Sequence, residues 1–312
     1  MKAAVVTAPN TTPIYTDFQT PASQDGEVLL TVKASALSNL TKGRATGKHY
    51  SSQGEYPLVA GIDGIGMTAD GQRVYFVMPT APFGALAQQV IVNEMLTIPV
   101  PEQLDDVKAA ALVNPAMSSL AALKVRAHFE AGQTVLINGA TGMSGRLAVQ
   151  IAKQLGAGKI IVTGRHAEKL AALQDLGADA YLAFGENFEH DLMNLLSDGV
   201  DVVLDYLWGE SAEQILRAVA KVTHGRKVRY VSIGAMSGGE INLPAAVLRA
   251  SGIEILGSGL RSVSLQDMLQ VIRDVFAMSE VVDFIVPTVS YPLAEIATAW
   301  DQGTSPRVVI TM

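Results

Sequence analysis

The chain has 312 residues, 49% of them apolar and 17% charged, with a formal charge of −7 and no cysteine. That composition supplies a sizeable core and excludes a disordered chain. The acidic balance offers no broad binding surface to nucleic acid or to an anionic membrane, and the missing cysteines exclude disulfides, catalytic thiols, iron–sulfur clusters and cysteine-rich zinc sites together. Two domains are the default at this length. The N-terminus is apolar only as far as Pro9, too short for a secretory signal. No stretch reaches the roughly 18 apolar residues of a membrane span. A soluble cytoplasmic protein is expected.

Short strands come first. Lys2–Val6, Glu27–Ala34, Gln72–Val77 and Ala87–Val92 carry strand patterning between Gly, Pro and Asn turns, which suggests a small barrel-like β domain. From Asp106 the pattern changes: Val107–Leu112 and Met117–His128 are Ala- and Leu-rich with helical spacing. Strands are then expected at Thr134–Asn138, Lys159–Thr163, Ala180–Phe184, Val200–Tyr206, Lys227–Ile233 and Ile253–Leu256, with helical segments between them. Sequential βα alternation with nearly all-apolar strands indicates a doubly wound parallel sheet. Helices at Leu265–Met278 and Leu293–Trp300 follow, with strands at Phe284–Val289 and Arg307–Ile310, a tail expected to rejoin the first domain.

The most informative stretch runs from the strand Thr134–Asn138 into Gly139, Ala140, Thr141, Gly142, Met143, Ser144 and Gly145, and then directly into an amphipathic helix. A diphosphate at such a junction meets unpaired helix N–H groups and the positive end of the helix dipole. Glycine permits the tight turn, the close backbone approach and the helix–strand packing. At the end of the next strand, an NAD site usually carries a carboxylate for the ribose 2′-OH. Here the strand ends in Gly164, Arg165 and His166, and Lys169 follows on the first helical turn. Arg165 and Lys169 are either solvated surface charges or the partners of a 2′-phosphate. In the second case a guanidinium fork gives NADP(H) a preference of about tenfold to a hundredfold.

These residues resemble the medium-chain dehydrogenase/reductase superfamily, in its zinc-independent quinone oxidoreductase branch. The family pattern V-L-V-x-G-A-x-G-x-V-G-x-x-A-V-Q-h-A-K is matched by Val135–Gly145 and then by Ala148-Val149-Gln150-Ile151-Ala152-Lys153. Further matches are Leu176–Asp179, Val200–Asp205, Ser232-Ile233-Gly234 and Pro292–Glu295, so the likeness spans essentially the whole chain. It implies an α/β fold: a Rossmann doubly wound parallel sheet plus a GroES-like β-barrel domain built from both chain ends. The domains would be 1–116, the N-terminal part of the catalytic domain; 117–258, the NADP(H)-binding domain; and 259–312, completing the catalytic domain. The resemblance also implies a homodimer paired through the last Rossmann strands, near Gly252–Gly257. By the same resemblance, Ser258 and Gly259 approach the nicotinamide by backbone contacts.

Zinc-dependent relatives carry a Gly-His-Glu motif, whereas this chain has Gly61-Ile62-Asp63, and its five histidines show no paired ligand spacing. Without zinc, alcohol oxidation lacks its usual Lewis acid. Hydride delivery from NADPH to an electrophilic small molecule, a quinone or an α,β-unsaturated carbonyl, is the expected reaction. The resemblance places Asn39 beside nicotinamide and acceptor, although a turn-forming Asn reads equally well. Tyr50 matches a Tyr of a substrate loop and could donate a proton or simply be a surface aromatic, with His49 as the weaker donor. The stretch Tyr50–Glu55 reads as an insertion. Two departures stand near the cofactor: Phe184 replaces a common Tyr, and Tyr206-Leu207-Trp208-Gly209 replaces a smaller T-V-G-G segment. Trp208 either narrows the cofactor cleft or covers apolar surface. A short-chain reductase is excluded because more than 130 residues precede the loop and no tyrosine has Lys four residues later. An NADPH-binding sensor with little turnover, as some lens crystallins illustrate, is the alternative function.

Overall fold

The computed structural model describes residues 1–52, 55–303 and 305–312. The chain begins with β1 (Lys2–Val6), β2 (Ile14–Asp17), β3 (Glu27–Ala36), α1 (Asn39–Ala45), β4 (Leu58–Val59), β5 (Asp63–Met67), β6 (Arg73–Val77), β7 (Gln89–Asn93), β8 (Thr97–Pro99) and α2 (Asp106–Ala121). It continues through β9 (Thr134–Asn138), α3 (Met143–Gln154), β10 (Lys159–Gly164), α4 (Ala167–Ala171), β11 (Ala180–Ala183), α5 (Phe188–Leu195), β12 (Val202–Asp205), α6 (Gly209–Val222), β13 (Lys227–Ser232), α7 (Ala245–Arg249) and β14 (Gly252–Gly257). The last elements are α8 (Leu265–Ser279), β15 (Thr288–Pro292), α9 (Ile296–Trp300) and β16 (Arg307–Thr311). Two compact units result: Met1–Asn114 with Ile272–Met312, and Pro115–Val271.

The first unit holds two sheets. One has the order β2-β1-β4; the other runs β15-β16-β3-β5-β6-β8, with β7 also paired to β3. Strand β5 escapes the sequence pattern because it is Gly-rich. Its glycines answer a packing demand: a Cβ on Gly64 would lie 2.8 Å from the Ala34 carbonyl oxygen, and one on Gly66 3.0 Å from Leu30 Cβ. The C-terminal tail joins this unit as β16, paired antiparallel to β3 through Val309↔Ala36. The expected strand at 284–289 starts later than its pattern suggests, at Thr288. Phe284 is buried without being in a strand.

Two expected helices on either side of Pro115 are one, since α2 runs through the proline. Ala109–Val113, Ala116 and Leu120 are fully or almost fully buried, and that apolar face outweighs one missing N–H. The helix ends in a π-helical stretch, Ala122–Arg126.

The second unit is built on a six-stranded sheet of order β11-β10-β9-β12-β13-β14, parallel throughout. Val135, Leu136, Ile137, Ile160, Ile161, Val162, Val202, Val203 and Leu204 are wholly buried, as strands covered on both faces require. Helices α5 and α6 cover one face around Leu192, Ile215, Leu216 and Val219.

Inside the first unit three polar side chains meet without solvent. The Tyr75 hydroxyl donates to Asp63 Oδ2 at 2.6 Å, and the buried Arg307 guanidinium lies close enough to act on both electrostatically. Burial pushes the Asp63 carboxyl up to about 6, against the opposing pull of Tyr75 and Arg307. The folded state therefore holds this proton more tightly than the unfolded chain does. The resulting stability is complete below about pH 4 and is lost as pH rises through 6. Wild-type unfolding free energy, followed by urea titration, should fall between pH 4 and 7 by roughly 3 kcal/mol more than that of Asp63→Asn; parallel pH profiles would refute the assignment.

Candidate cofactor site

The second unit's sheet order, counted within the unit, is 3-2-1-4-5-6, the dinucleotide-binding order. Its direction of construction reverses between β9 and β12, and ligands of such sheets bind outside the carboxyl ends of the strands at that point. The registers align Thr163, Asn138, Asp205, Ser232 and Gly257 in one row across five strands. The turns after this row therefore leave the sheet at one edge. Every cofactor residue expected from the sequence lies on that edge or in the turns and helix starts leaving it.

The glycine loop is built for close backbone approach. Gly139 has φ +83, and the N–H groups of Gly139 and Ala140 donate to the Thr163 carbonyl at 3.0 and 3.2 Å. Helix α3 starts at Met143 with Gly142 as its N-cap, so no side chain satisfies its first N–H groups. A Cβ on Gly142 would meet only the Gly139 oxygen, at 3.6 Å, whereas one on Gly145 would lie 2.5 Å from Ala140 Cα. Gly142 faces open space and Gly145 presses on the loop. Ser144 has its carbonyl bonded by the Ser119 hydroxyl at 3.1 Å.

At the tip of β10, Thr141 lies beside Gly164: a Cβ there would be 3.7 Å from the Thr141 methyl. Arg165, His166 and Lys169 are exposed, and no salt bridge among the described residues engages Arg165 or Lys169. Farther along the edge, Ile233 and Gly234 donate to the Asp205 carbonyl at 2.8 and 3.2 Å, and Ser258 N–H donates to Ser232 O at 2.8 Å. Gly259 N–H donates to Ser262 Oγ at 2.8 Å. From the π-helical stretch, Arg126 Nε donates to the Gly257 carbonyl at 2.7 Å, fixing the end of β14.

Sequence reasoning did not find the polar group beneath this edge. Asp205, fully buried, takes hydrogen bonds from Asn138 Nδ2 (2.8 Å), the Tyr230 hydroxyl (2.7 Å) and Leu207 N–H (2.9 Å). Trp208 N–H donates to both its oxygens, at 3.2 and 3.1 Å. The Thr163 hydroxyl donates to Asn138 Oδ1 at 2.8 Å. Burial pushes the Asp205 carboxyl upward, and these hydrogen bonds work against the shift. A signal was present: Thr163, Asn138 and Asp205 are polar residues at the carboxyl ends of three strands whose interiors are apolar. Trp208 itself has φ 56 and ψ −158, a region open in practice only to glycine and costing about 1–3 kcal/mol otherwise. Its ring packs on the core of the unit, edge-on to Tyr230 with centroids 6.3 Å apart, so it covers apolar surface. Phe184 does likewise against Phe188.

The two expected catalytic residues belong to the other unit. Asn39 is the first residue of α1, where Ser38 Oγ caps the helix by accepting Thr41 N–H at 2.8 Å. It is therefore helical and not a turn residue. Tyr50 is 60% exposed and stacks on His49, with ring centroids 4.2 Å apart. Burial, and then the Arg44 charge, push the His49 imidazole below its ordinary value, disfavouring its protonated form. Gln53 and Gly54, within the insertion-like stretch, lie outside the described residues.

A family model described as zinc-binding dehydrogenase matches residues 145–276. A protein of Emericella nidulans named "Probable NADPH-dependent quinone reductase tdiC" is 31% identical over 99% of both chains. The chain belongs to the medium-chain dehydrogenase/reductase superfamily, in its quinone oxidoreductase-like branch. The quinone oxidoreductase of Rattus norvegicus is 27% identical over 84% of this chain and 80% of its own. The fold matches the crystal structure of the Thermus thermophilus quinone oxidoreductase, solved also with NADPH, at TM-score 0.81, 24% identity and complete coverage of both chains.

The two groups that this superfamily brings to mind fit the chain unequally. An NADP(H) diphosphate suits the open Gly142 cradle and the uncapped start of α3. Zinc does not suit the donor set. The chain has no cysteine, Ile62 stands in the motif position of a histidine, and Asp63 is engaged by Tyr75. Among the described residues no three His, Cys, Asp or Glu side chains are grouped to hold a metal.

The glycine geometry yields a contrast measurable by urea denaturation. Gly145→Ala should cost about 3 kcal/mol or more by overpacking. Gly142→Ala, at φ −73 and facing open space, should stay within about 1 kcal/mol of wild type. Similar losses for the two variants would contradict the packing described.

Proposed function

We propose that this chain is an NADPH-dependent reductase of quinones and α,β-unsaturated carbonyl compounds, acting without zinc, as a cytoplasmic homodimer. The observation that carries the reading is the end-to-end likeness to the NADPH-dependent quinone reductase of Emericella nidulans. A second named relative points the same way: the NADPH-dependent alkenal/one oxidoreductase of Arabidopsis thaliana is 30% identical over 65% of this chain and 55% of its own length.

NADPH, when bound, supplies the hydride. The chain's own residues bind and orient. Met143, Ser144 and Gly145 would take the diphosphate by the backbone N–H groups at the start of α3, with Gly139, Thr141 and Gly142 forming the turn that lets it approach. Gly164, Arg165 and Lys169 would take the adenosine side, the two cations facing the 2′-phosphate with no carboxylate at the strand tip to repel it. Ser232, Ile233, Gly234, Ser258 and Gly259 would line the nicotinamide half. On the acceptor side, Asn39 would donate a hydrogen bond to the oxygen on which negative charge develops, and the Tyr50 hydroxyl or water would deliver the proton. For the dimer, support comes from β14, which ends the sheet order and among the described residues pairs with β13 alone, leaving an edge at which a second chain could pair.

The test follows NADPH absorbance with a panel of small quinones and 2-alkenals, with NADH and acceptor-free controls. Acceptor-dependent loss of NADPH is expected. NADPH binding without such loss would favour a low-turnover sensor instead. Arg165→Ala should lower the NADPH-over-NADH affinity ratio by about tenfold or more, mostly by weakening NADPH; an unchanged ratio would remove Arg165 from the site.

A further inference from the structure

We propose that Asp205 is a positioning residue for the dinucleotide: it holds Trp208 in a backbone conformation natural only to glycine, and this seats the Leu207 side chain over Gly139. The proposal rests on the NADPH reading given above, and it concerns a segment that reading leaves without a role.

The segment 205–208 leaves β12 at the point where the sheet reverses its direction of construction, beside the glycine loop. Left to itself, a tryptophan would not stay at φ 56, ψ −158. Here its peptide is gripped on both sides. Its N–H donates to Asp205, at 3.2 and 3.1 Å, and its carbonyl accepts the Ser211 hydroxyl at 3.3 Å. Ser211 Oγ in turn accepts Asn138 Nδ2 at 3.0 Å, the same amide that donates to Asp205. Tyr206, one residue after Asp205, is pinned by a 2.8 Å hydrogen bond between its hydroxyl and Ser119 Oγ. Leu207 lies between these fixed points. A Cβ built on Gly139 would lie 2.9 Å from Leu207 Cγ and 3.0 Å from Cδ2. Leu207 thus closes over the first glycine of the loop, where a bound diphosphate would pass. The ring of Trp208 acts as the counterweight, packed on Tyr230.

If Asp205 acts by enforcing the backbone of residue 208, its importance must disappear when that residue is glycine. The experiment is a double-mutant cycle of Asp205→Asn and Trp208→Gly, read by NADPH affinity in direct titrations. With Trp208 present, Asp205→Asn should weaken NADPH about tenfold; in the Trp208→Gly background, the loss should be less than about threefold. A second reading needs no cofactor. The chain has two tryptophans, so in a Trp300→Phe background the emission reports Trp208 alone. Asp205→Asn should move that emission to longer wavelength as the ring leaves Tyr230. Should Asp205→Asn fail to fold, Tyr230→Phe removes one of the hydrogen bonds and should move both readings in the same direction by less. Equal losses in the two backgrounds, or an emission that does not move, would overturn the proposal. An emission shift in a protein that binds no NADPH at all would overturn the functional reading and leave the clamp on Trp208 standing.

Discussion

A 2.8 Å side-chain hydrogen bond, from the Asn138 amide to Asp205, ties together the carboxyl ends of the two paired strands between which the parallel sheet changes its direction of construction. Strands β9 and β12 are neighbours in space but are separated in sequence by two complete βα excursions. Their carboxyl ends emit the glycine loop and the Tyr206–Trp208 segment. Thr163 extends the link to a third strand and Tyr230 to a fourth. Among the described residues no cation stands beside this carboxyl group, and its hydrogen-bond donors are neutral. A buried charge so placed is costly unless each lone pair is used, and Asp205 uses them on the groups whose positions matter.

The parallel sheet was legible in the sequence because periodicity and burial agree there. Val135–Ile137, Ile160–Val162 and Val202–Leu204 are apolar on both faces, and only a strand covered on both sides needs that pattern. The glycine loop was legible for a related reason, since three glycines between such a strand and an amphipathic helix have a steric purpose. What escaped were features set by partners remote in sequence. Strand β5 shows no strand pattern because Gly64 and Gly66 yield their side-chain space to Ala34, Leu30 and Phe76. Pro115 reads as a helix end because nothing local reveals how deeply the flanking residues of α2 are buried.

Conformation hid the site residues that were missed. Asn138 and Asp205 appear in the sequence as parts of a family motif, but their contact depends on register between strands 67 residues apart. Trp208 is less legible still. Tryptophan in a left-handed bend runs against backbone preference, and it persists only because two side chains and the core hold it. Such conflicts between local preference and observed conformation concentrate where a structure serves a ligand.

The π-helical stretch Ala122–Arg126 sets the direction in which the Arg126 side chain leaves its helix. A residue lost from a helical stretch shortens its rise and also rotates everything beyond it, by about 100° in an α-helix. Deleting one residue between Ala121 and Arg126 would therefore swing the guanidinium off the Gly257 carbonyl and loosen the end of β14, still paired to β13, at the edge where Ser258 and Gly259 begin. Among descendants of this sequence, insertions and deletions should accumulate in the surface turns and spare this one stretch.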